Sequence, residues 1–267
     1  MQCGAALATG LFDNIGSQGA VFLRTVFAAA ILLAISRPGI RLVREVGVRD
    51  VFLFALTFLG MNTCFYAAID RIPLGAAVTL EFVGPLAVAI AGSRRRLDLL
   101  WAFLAAAGIA LLSDGLGADG IFSLGAVLAL LAGCSWGAYI VLSARVGAAH
   151  PGLGALAVAI AVSAVLVAPL GIAEGGLDLL APATLAIGLA VGIASSVIPY
   201  SLEIEALRRL PSGVFGVLMS LEPAVAAVVG LIALSQGLEA IEVVAIALVV
   251  GASAGALRTS EAPPHDP

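Results

Sequence analysis

Ten stretches of this chain are continuously apolar: residues 1–12, 19–36, 51–69, 75–92, 99–113, 124–142, 153–173, 182–201, 213–234 and 240–257. Most approach the roughly 20 residues that a helix needs to cross about 30 Å of hydrocarbon. In lipid every backbone N–H and C=O must be satisfied internally, which leaves only helices or a closed barrel. Barrel strands alternate polar and apolar residues, and these stretches do not, so they are read as helices. Composition agrees. The chain is 61% hydrophobic and 11% charged, where a soluble domain carries about 25% charged residues. Mean hydropathy is +1.14. Too little polar surface exists for a soluble domain, so the expected fold is an all-α polytopic membrane protein embedded in a lipid bilayer. The turn and breaker residues fall between the stretches, at Arg37-Pro38-Gly39, Asp114-Gly115 to Asp119-Gly120, His150-Pro151-Gly152 and Glu174-Gly175-Gly176.

Charge distribution orients the chain better than its net charge of −4 does. One set of connections carries Arg37, Arg41, Arg44, Arg49, Arg94, Arg95, Arg96, Arg145, Arg208, Arg209 and Arg258. The other carries Asp13, Asp70, Asp114, Asp119, Glu174, Asp178 and Glu239, with Arg71 its sole Arg. The two sets alternate along the whole chain. By the positive-inside rule the Arg-rich side is cytoplasmic, and so is the C-terminus. Residues 258–267 are read as a short disordered cytoplasmic tail, polar and Pro-rich. Cys3, Cys64 and Cys134 lie in apolar stretches and suggest buried thiols, with no disulfide framework. The N-terminus lacks a basic n-region and a cleavage site, so no cleaved signal peptide is expected.

A proline–glycine signature occurs twice. Arg71-Ile72-Pro73-Leu74-Gly75 leads to Glu81 and Pro85, and Arg209-Leu210-Pro211-Ser212-Gly213 leads to Glu222 and Pro223. The two prolines of each copy are 12 residues apart and the copies are offset by 138. Residues 1–116 and 121–257 are therefore read as two repeats of five helices each. An odd number turns the second repeat upside down relative to the first, giving a 5+5 inverted repeat. The sixth stretch, with Gly133-Cys134-Ser135-Trp136-Gly137-Ala138-Tyr139, should have its counterpart in the first. Matching Gly137 to Gly4 leaves about half of that first helix before Met1, and twelve residues make only about 18 Å of helix. The expectation is a truncated first helix.

The signature regions also carry a family resemblance. Phe65-Tyr66-Ala67-Ala68-Ile69, Pro73-Leu74-Gly75 and Leu80-Glu81-Phe82-Val83-Gly84-Pro85-Leu86-Ala87-Val88 resemble the fourth-helix region of the drug/metabolite transporter superfamily, with EamA-type domains. Pro199-Tyr200-Ser201-Leu202-Glu203, Arg209-Leu210-Pro211 and Leu218-Met219-Ser220-Leu221-Glu222-Pro223-Ala224 look like its threonine/homoserine exporter branch. The resemblance implies ten helices in a bacterial inner membrane. It also implies efflux of a small-molecule substrate, an amphipathic metabolite, against inward flow of protons as the coupling ion. A homodimer is compatible with it. One position departs: the family has a Gly-Glu pair after the ninth helix, and here Leu234-Ser235-Gln236-Gly237 places Gln236 where Glu is expected.

Several polar residues inside the stretches are candidates for binding substrate or protons. Glu81 and Glu222 lie mid-span, where a charged carboxylate costs roughly 2.5–3.5 kcal/mol. Each must face a cavity, pair with a cation or hold a proton; a partner for a buried Arg is the plainer role. Pro85 and Pro223 are read as helix kinks, because proline frees a carbonyl one turn back, and a freed carbonyl beside a carboxylate makes a cation site. Arg24 suits a substrate carboxylate, but also a neutralising role towards Glu81 or Glu222, or snorkelling to the interface. Asn62 is either a helix–helix contact or a substrate contact. Tyr66, Trp136, Tyr139 and Tyr200 offer amphipathic rings to a cavity, with interface anchoring as the ordinary alternative. Glu203 and Glu205 are expected to pair locally with Arg208 and Arg209.

No Walker A sequence, HExxH, Cys/His metal spacing, dinucleotide fingerprint or catalytic dyad is present, so no cofactor, metal or enzymatic activity is expected. Arg94-Arg95-Arg96 reads as a topology signal, not as a nucleic-acid patch. The leading expectation is a proton-coupled secondary exporter of threonine/homoserine-like amino acids or related metabolites, working by alternating access. The alternatives are uptake or exchange of another metabolite, such as a nucleoside, a sugar derivative or a toxic analogue, and a non-transporting receptor or scaffold.

Overall fold

The computed structural model describes residues 1–91, 97–115, 120–150, 152–209 and 218–260. Arg94–Arg96, Pro211–Gly213 and residues 261–267 lie outside the described residues, as do the side chains of Glu205, Arg208 and Arg209 and the ion pairs expected there. The helices run α1 (Gln2–Thr9), α2 (Phe12–Ser36), α3 (Ile40–Val46), α4 (Val48–Ile69), α5 (Leu74–Glu81), α6 (Val83–Ala91), α7 (Leu97–Gly115), α8 (Leu124–Ala149), α9 (Gly154–Gly175), α10 (Pro182–Gly192), α11 (Ile198–Arg209), α12 (Glu222–Ala233) and α13 (Ala240–Ser260).

Among the described residues, six segments are long and apolar enough to cross a membrane: Phe12–Ser36, Val48–Ile69, Leu74–Ala91, Leu124–Ala149, Gly154–Leu180 and Pro182–Glu203. Shorter apolar helices cover Leu99–Leu112, Glu222–Ala233 and Ala240–Ala256. Large apolar side chains on their outer faces, such as Leu99, Phe103 and Ile232, are more than two-thirds exposed. Such a surface suits lipid rather than water. The fold is that of a polytopic membrane protein.

Helix pairing follows a regular scheme. α2 packs on α9, α7 on α13, and α5 on α12. α4 packs on α8 and α9, as α10 packs on α1 and α2, and α8 meets α6 as α1 meets α12. Small residues let these helices approach closely. A Cβ added at Gly75 would lie 2.9 Å from the Cα of Ala227, and one added at Gly133 would lie 2.5 Å from the carbonyl oxygen of Glu81.

Three helical segments are interrupted, two of them inside stretches that read as continuous in the sequence. Gly16, at φ 67°, breaks α2 near its start. Just beyond it the Gln18 N–H donates to Glu174 Oε2 at 2.8 Å, so the end of α9 caps the renewed helix. A side chain at Gly16 would overlap the Glu174 carboxylate. A π-turn over Ile193–Val197 separates α10 from α11. The helix that begins at Leu74 stops after Glu81 and restarts at Val83. Pro85 has no N–H to give the Glu81 carbonyl, which removes the hydrogen bond spanning that point.

Gln236, the departure noted above, has a structural role. Its Oε1 accepts the Leu74 N–H at 3.0 Å and so caps α5. Losing such a cap costs about 1 kcal/mol, and a carboxylate suits a helix N-terminus. Gln236→Ala is expected to lower the thermal midpoint of detergent-purified protein, and Gln236→Glu to preserve it. Indistinguishable melting curves for wild type and Gln236→Ala would refute the cap.

The buried interior forms two large clusters. One includes Leu11, Ile15, Phe65, Tyr66, Leu74 and Leu80. The other includes Leu32, Phe54, Phe58, Met61, Tyr139, Ile160 and Tyr200. A cavity between the helices takes wall residues from both.

Candidate functional site

Arg24 is 5% exposed on α2 and does not snorkel. Its Nε donates to Ser196 Oγ at 3.0 Å, its Nη2 to the Ser195 carbonyl at 3.1 Å and its Nη1 to Asn62 Oδ1. Both serines belong to the π-turn, a distortion often found at functional sites. Asn62 is held in turn, since its Nδ2 donates to the Phe58 carbonyl at 2.8 Å. The guanidinium lies 5.3 Å from the centroid of the Tyr66 ring. Three bonds to neutral partners leave two of the five guanidinium N–H groups available.

Arg24 and Asn62 face a cavity of about 70 Å³, together with Glu81, Trp136, Tyr139, Tyr200, Glu203 and Glu222. That volume holds several waters. Glu81, Glu203 and Glu222 form no hydrogen bond or salt bridge among the described residues. Glu81 lies close enough to both Glu222 and Arg24 to feel their charges. The Arg24 guanidinium and the Met1 amino group stand against three carboxylates, which leaves the space attractive to cations and protons.

The two carboxylates picked out in the sequence both stand at helix ends. Glu81 is the last residue of α5, and Glu222 is the first of α12, directly after a turn at Ser220-Leu221. Helix N-termini favour negative charge and C-termini favour positive charge. Glu222 therefore lies at the positive end of α12, whereas Glu81, beside its own freed carbonyl, is placed to meet a cation. Pro85 and Pro223 each lie just beyond a break, Pro223 in the first turn of α12.

Trp136 and Tyr139 are one turn apart on α8 and so share a face. Trp136 meets Phe82 edge-on at 5.3 Å, and Tyr139 stacks on Phe54 at 4.9 Å. Tyr200 on α11 is 6.0 Å from Phe58 and 6.4 Å from Tyr139. Tyr66 is fully buried behind Arg24 and supports it; the cavity wall is made by the other three rings. Glu203, for which the sequence suggested a local ion pair, lines the cavity. Its spacing from Tyr200, one helical turn, was the available signal. Met61, Phe65, Ser195 and Met219 also line the space and had no signal of their own. Among the described residues no grouping of His, Cys, Asp and Glu is suited to a metal ion.

Known proteins place the chain. Residues 123–258 match the EamA-like transporter family. The chain is 41% identical over 267 residues to the threonine/homoserine exporter RhtA of Salmonella typhimurium (strain LT2), covering 99% of this chain and 90% of that one. It is 41% identical over 261 residues to the RhtA of Escherichia coli (strain K12), covering 97% and 88% respectively. A solved structure titled only "Crystal structure of protein" shares the fold, with a TM-score of 0.67 at 20% identity over 97% of this chain and 95% of the other. Family match, near-full-length identity and shared helical fold agree, and the chain belongs to the EamA-like transporter family.

Proposed function

We propose that this chain is a secondary transporter that exports threonine/homoserine-like amino acids, or closely related small metabolites, by alternating access driven by inward proton flow. The observation that carries this reading is one guanidinium with spare donors facing unpaired carboxylates across one central cavity. A zwitterionic amino acid presents the complementary pair of charges. Its carboxylate suits the remaining fork of Arg24. Its ammonium suits Glu81, at the C-terminal end of α5. Glu222, at the N-terminal end of α12, is then the proton site. The names of the curated relatives support the amino-acid cargo.

The helix pairing supports a 5+5 inverted arrangement. Let α1, α2, α4, α5–α6 and α7 exchange with α8, α9, α10–α11, α12 and α13. Each of the contacts described above maps onto itself or onto another in the set. Alternating access in such a frame is a rocking of one repeat against the other around a central site. The Arg alternation supports a cytoplasmic C-terminus.

Proteoliposomes loaded with labelled threonine test the reading. Threonine efflux is expected to accelerate under an inward proton gradient and to move the internal pH. Losing a charge-assisted contact costs about 1.5–3 kcal/mol, or about 10- to 150-fold in apparent affinity. Glu81→Gln should show that loss in threonine KM. Glu222→Gln should retain exchange of threonine for threonine and lose acceleration by the gradient. Normal, proton-driven transport by both variants would refute the assignment of the two acids.

A further inference from the structure

A second cavity, of about 250 Å³, lies beside the central one and reaches the connection between α8 and α9, where it is lined by His150 and Gly152. Near this end His150 Nδ1 meets Glu45 Oε2 at 3.0 Å, an exposed contact. The two cavities share three lining residues, Tyr139, Tyr200 and Glu203. These residues form the partition between them.

The partition is closely packed on its aromatic side. Tyr139 is stacked on Phe54, and Phe58 packs against both Tyr139 and Tyr200. Glu203 is one turn beyond Tyr200 on the same face of α11. It engages no hydrogen bond or salt bridge among the described residues. A carboxylate flanked by two aromatic rings attracts an ammonium group twice, through its own charge and through the ring faces. Neither the proposed central substrate site, with Arg24 for the carboxylate and Glu81 for the ammonium, nor the proton site at Glu222 uses it.

We propose that Glu203, flanked by Tyr139 and Tyr200, is a second binding station for the ammonium group of the amino-acid substrate, between the outer and central cavities. The inference rests on the export reading above. Substrate entering from the His150 end meets Glu203 first, and the ammonium passes from there to Glu81. Glu203 thereby selects for a cationic head group before the central site is reached. Substrates without one are held back at the partition.

The test uses purified protein in detergent, with Cys3, Cys64 and Cys134 replaced by Ser and a single cysteine at Ser143, in the wall of the outer cavity. Trimethylammonium-ethyl and sulfonatoethyl methanethiosulfonates are compared as labels. A local negative potential should make the cationic reagent about tenfold faster relative to the anionic one than at an exposed reference site. Glu203→Gln is expected to bring that ratio close to the reference, and Glu203→Asp to preserve it. Threonine should slow labelling where Glu203 is present, and much less in Glu203→Gln. An unchanged ratio and equal threonine protection in Glu203→Gln overturn the proposal. The labelling ratio requires no transport. Failure of the wild type to move threonine in proteoliposomes would therefore refute the export reading alone, and the ratio would still decide the role of Glu203.

Discussion

Arg24→Lys is expected to abolish threonine export while leaving the protein inserted and folded. Arg24 spends three N–H groups on Ser196, Ser195 and Asn62, and these contacts aim the rest of the guanidinium. A lysine keeps the charge but offers a compact ammonium with no planar fork. It cannot hold the π-turn and Asn62 and grip a carboxylate at the same time. Removing one partner of a buried, hydrogen-bonded charge pair costs about 2–5 kcal/mol, which is about 30-fold or more in affinity. Arg24→Ala should be at least as inactive, but it also leaves Asn62 Oδ1 without its donor and so lowers thermal stability. The lysine variant separates the two effects. Threonine KM and the melting midpoint are the measurements, and a wild-type KM in Arg24→Lys would remove Arg24 from the binding site.

The second large effect is expected at a residue with no chemistry. Gly133→Ala should destroy transport, because its Cβ would lie 2.5 Å from the carbonyl oxygen of Glu81 and 3.2 Å from the Glu81 Cα. The obstacle is backbone on the packed α5–α6 segment, so no rotamer relieves it. Overpacking of this kind typically costs 1–3 kcal/mol. Here the shift falls on the residue that carries the central carboxylate. Gly251, whose Cβ would meet nothing within 4 Å, is the control. Gly251→Ala should be neutral or slightly stabilising, since Gly in a helix costs about 0.5–1 kcal/mol relative to Ala. Threonine transport and thermal midpoint distinguish the two variants. Equal behaviour would show that close α8–α5 packing does not position Glu81.

Close packing also explains an asymmetry visible in the chain. Across the 138-residue offset the break at Phe82 corresponds to the turn at Ser220, and Pro85 to Pro223. The acids do not correspond. The position matching Glu222 is Gly84, and the position matching Glu81 is Met219. A Cβ at Gly84 would overlap the Gly133 carbonyl, so no carboxylate fits there. Met219 lines the cavity and adds apolar wall there. The break is common to both halves, and packing around it leaves room for a carboxylate on a different side in each.

Much of the site was legible because lipid makes polar groups conspicuous. Arg24, Asn62, Glu81 and Glu222 stand out in apolar stretches, where each must find a partner or a cavity. Glu203 was masked by its neighbours, since Arg208 and Arg209 are close in sequence and offered an ordinary ion pair. Tyr66 was indistinguishable from the other rings, because the sequence does not reveal which side of α4 lies behind Arg24. Gln236 looked like a lost carboxylate, and its contact with the Leu74 N–H spans 162 residues.

The sequence by itself determined the membrane class, the helical character, the doubled signature and the intramembrane charges, because each depends on local apolar length, proline chemistry or the cost of burying charge. The tertiary structure decided how those residues meet. It placed Arg24 on the π-turn and Asn62, set Tyr66 behind it, put Glu203 between two cavities and brought Gly133 against Glu81. These contacts join helices far apart in the chain, and close packing of small residues, which carries little directional signal along a sequence, decides which of them form.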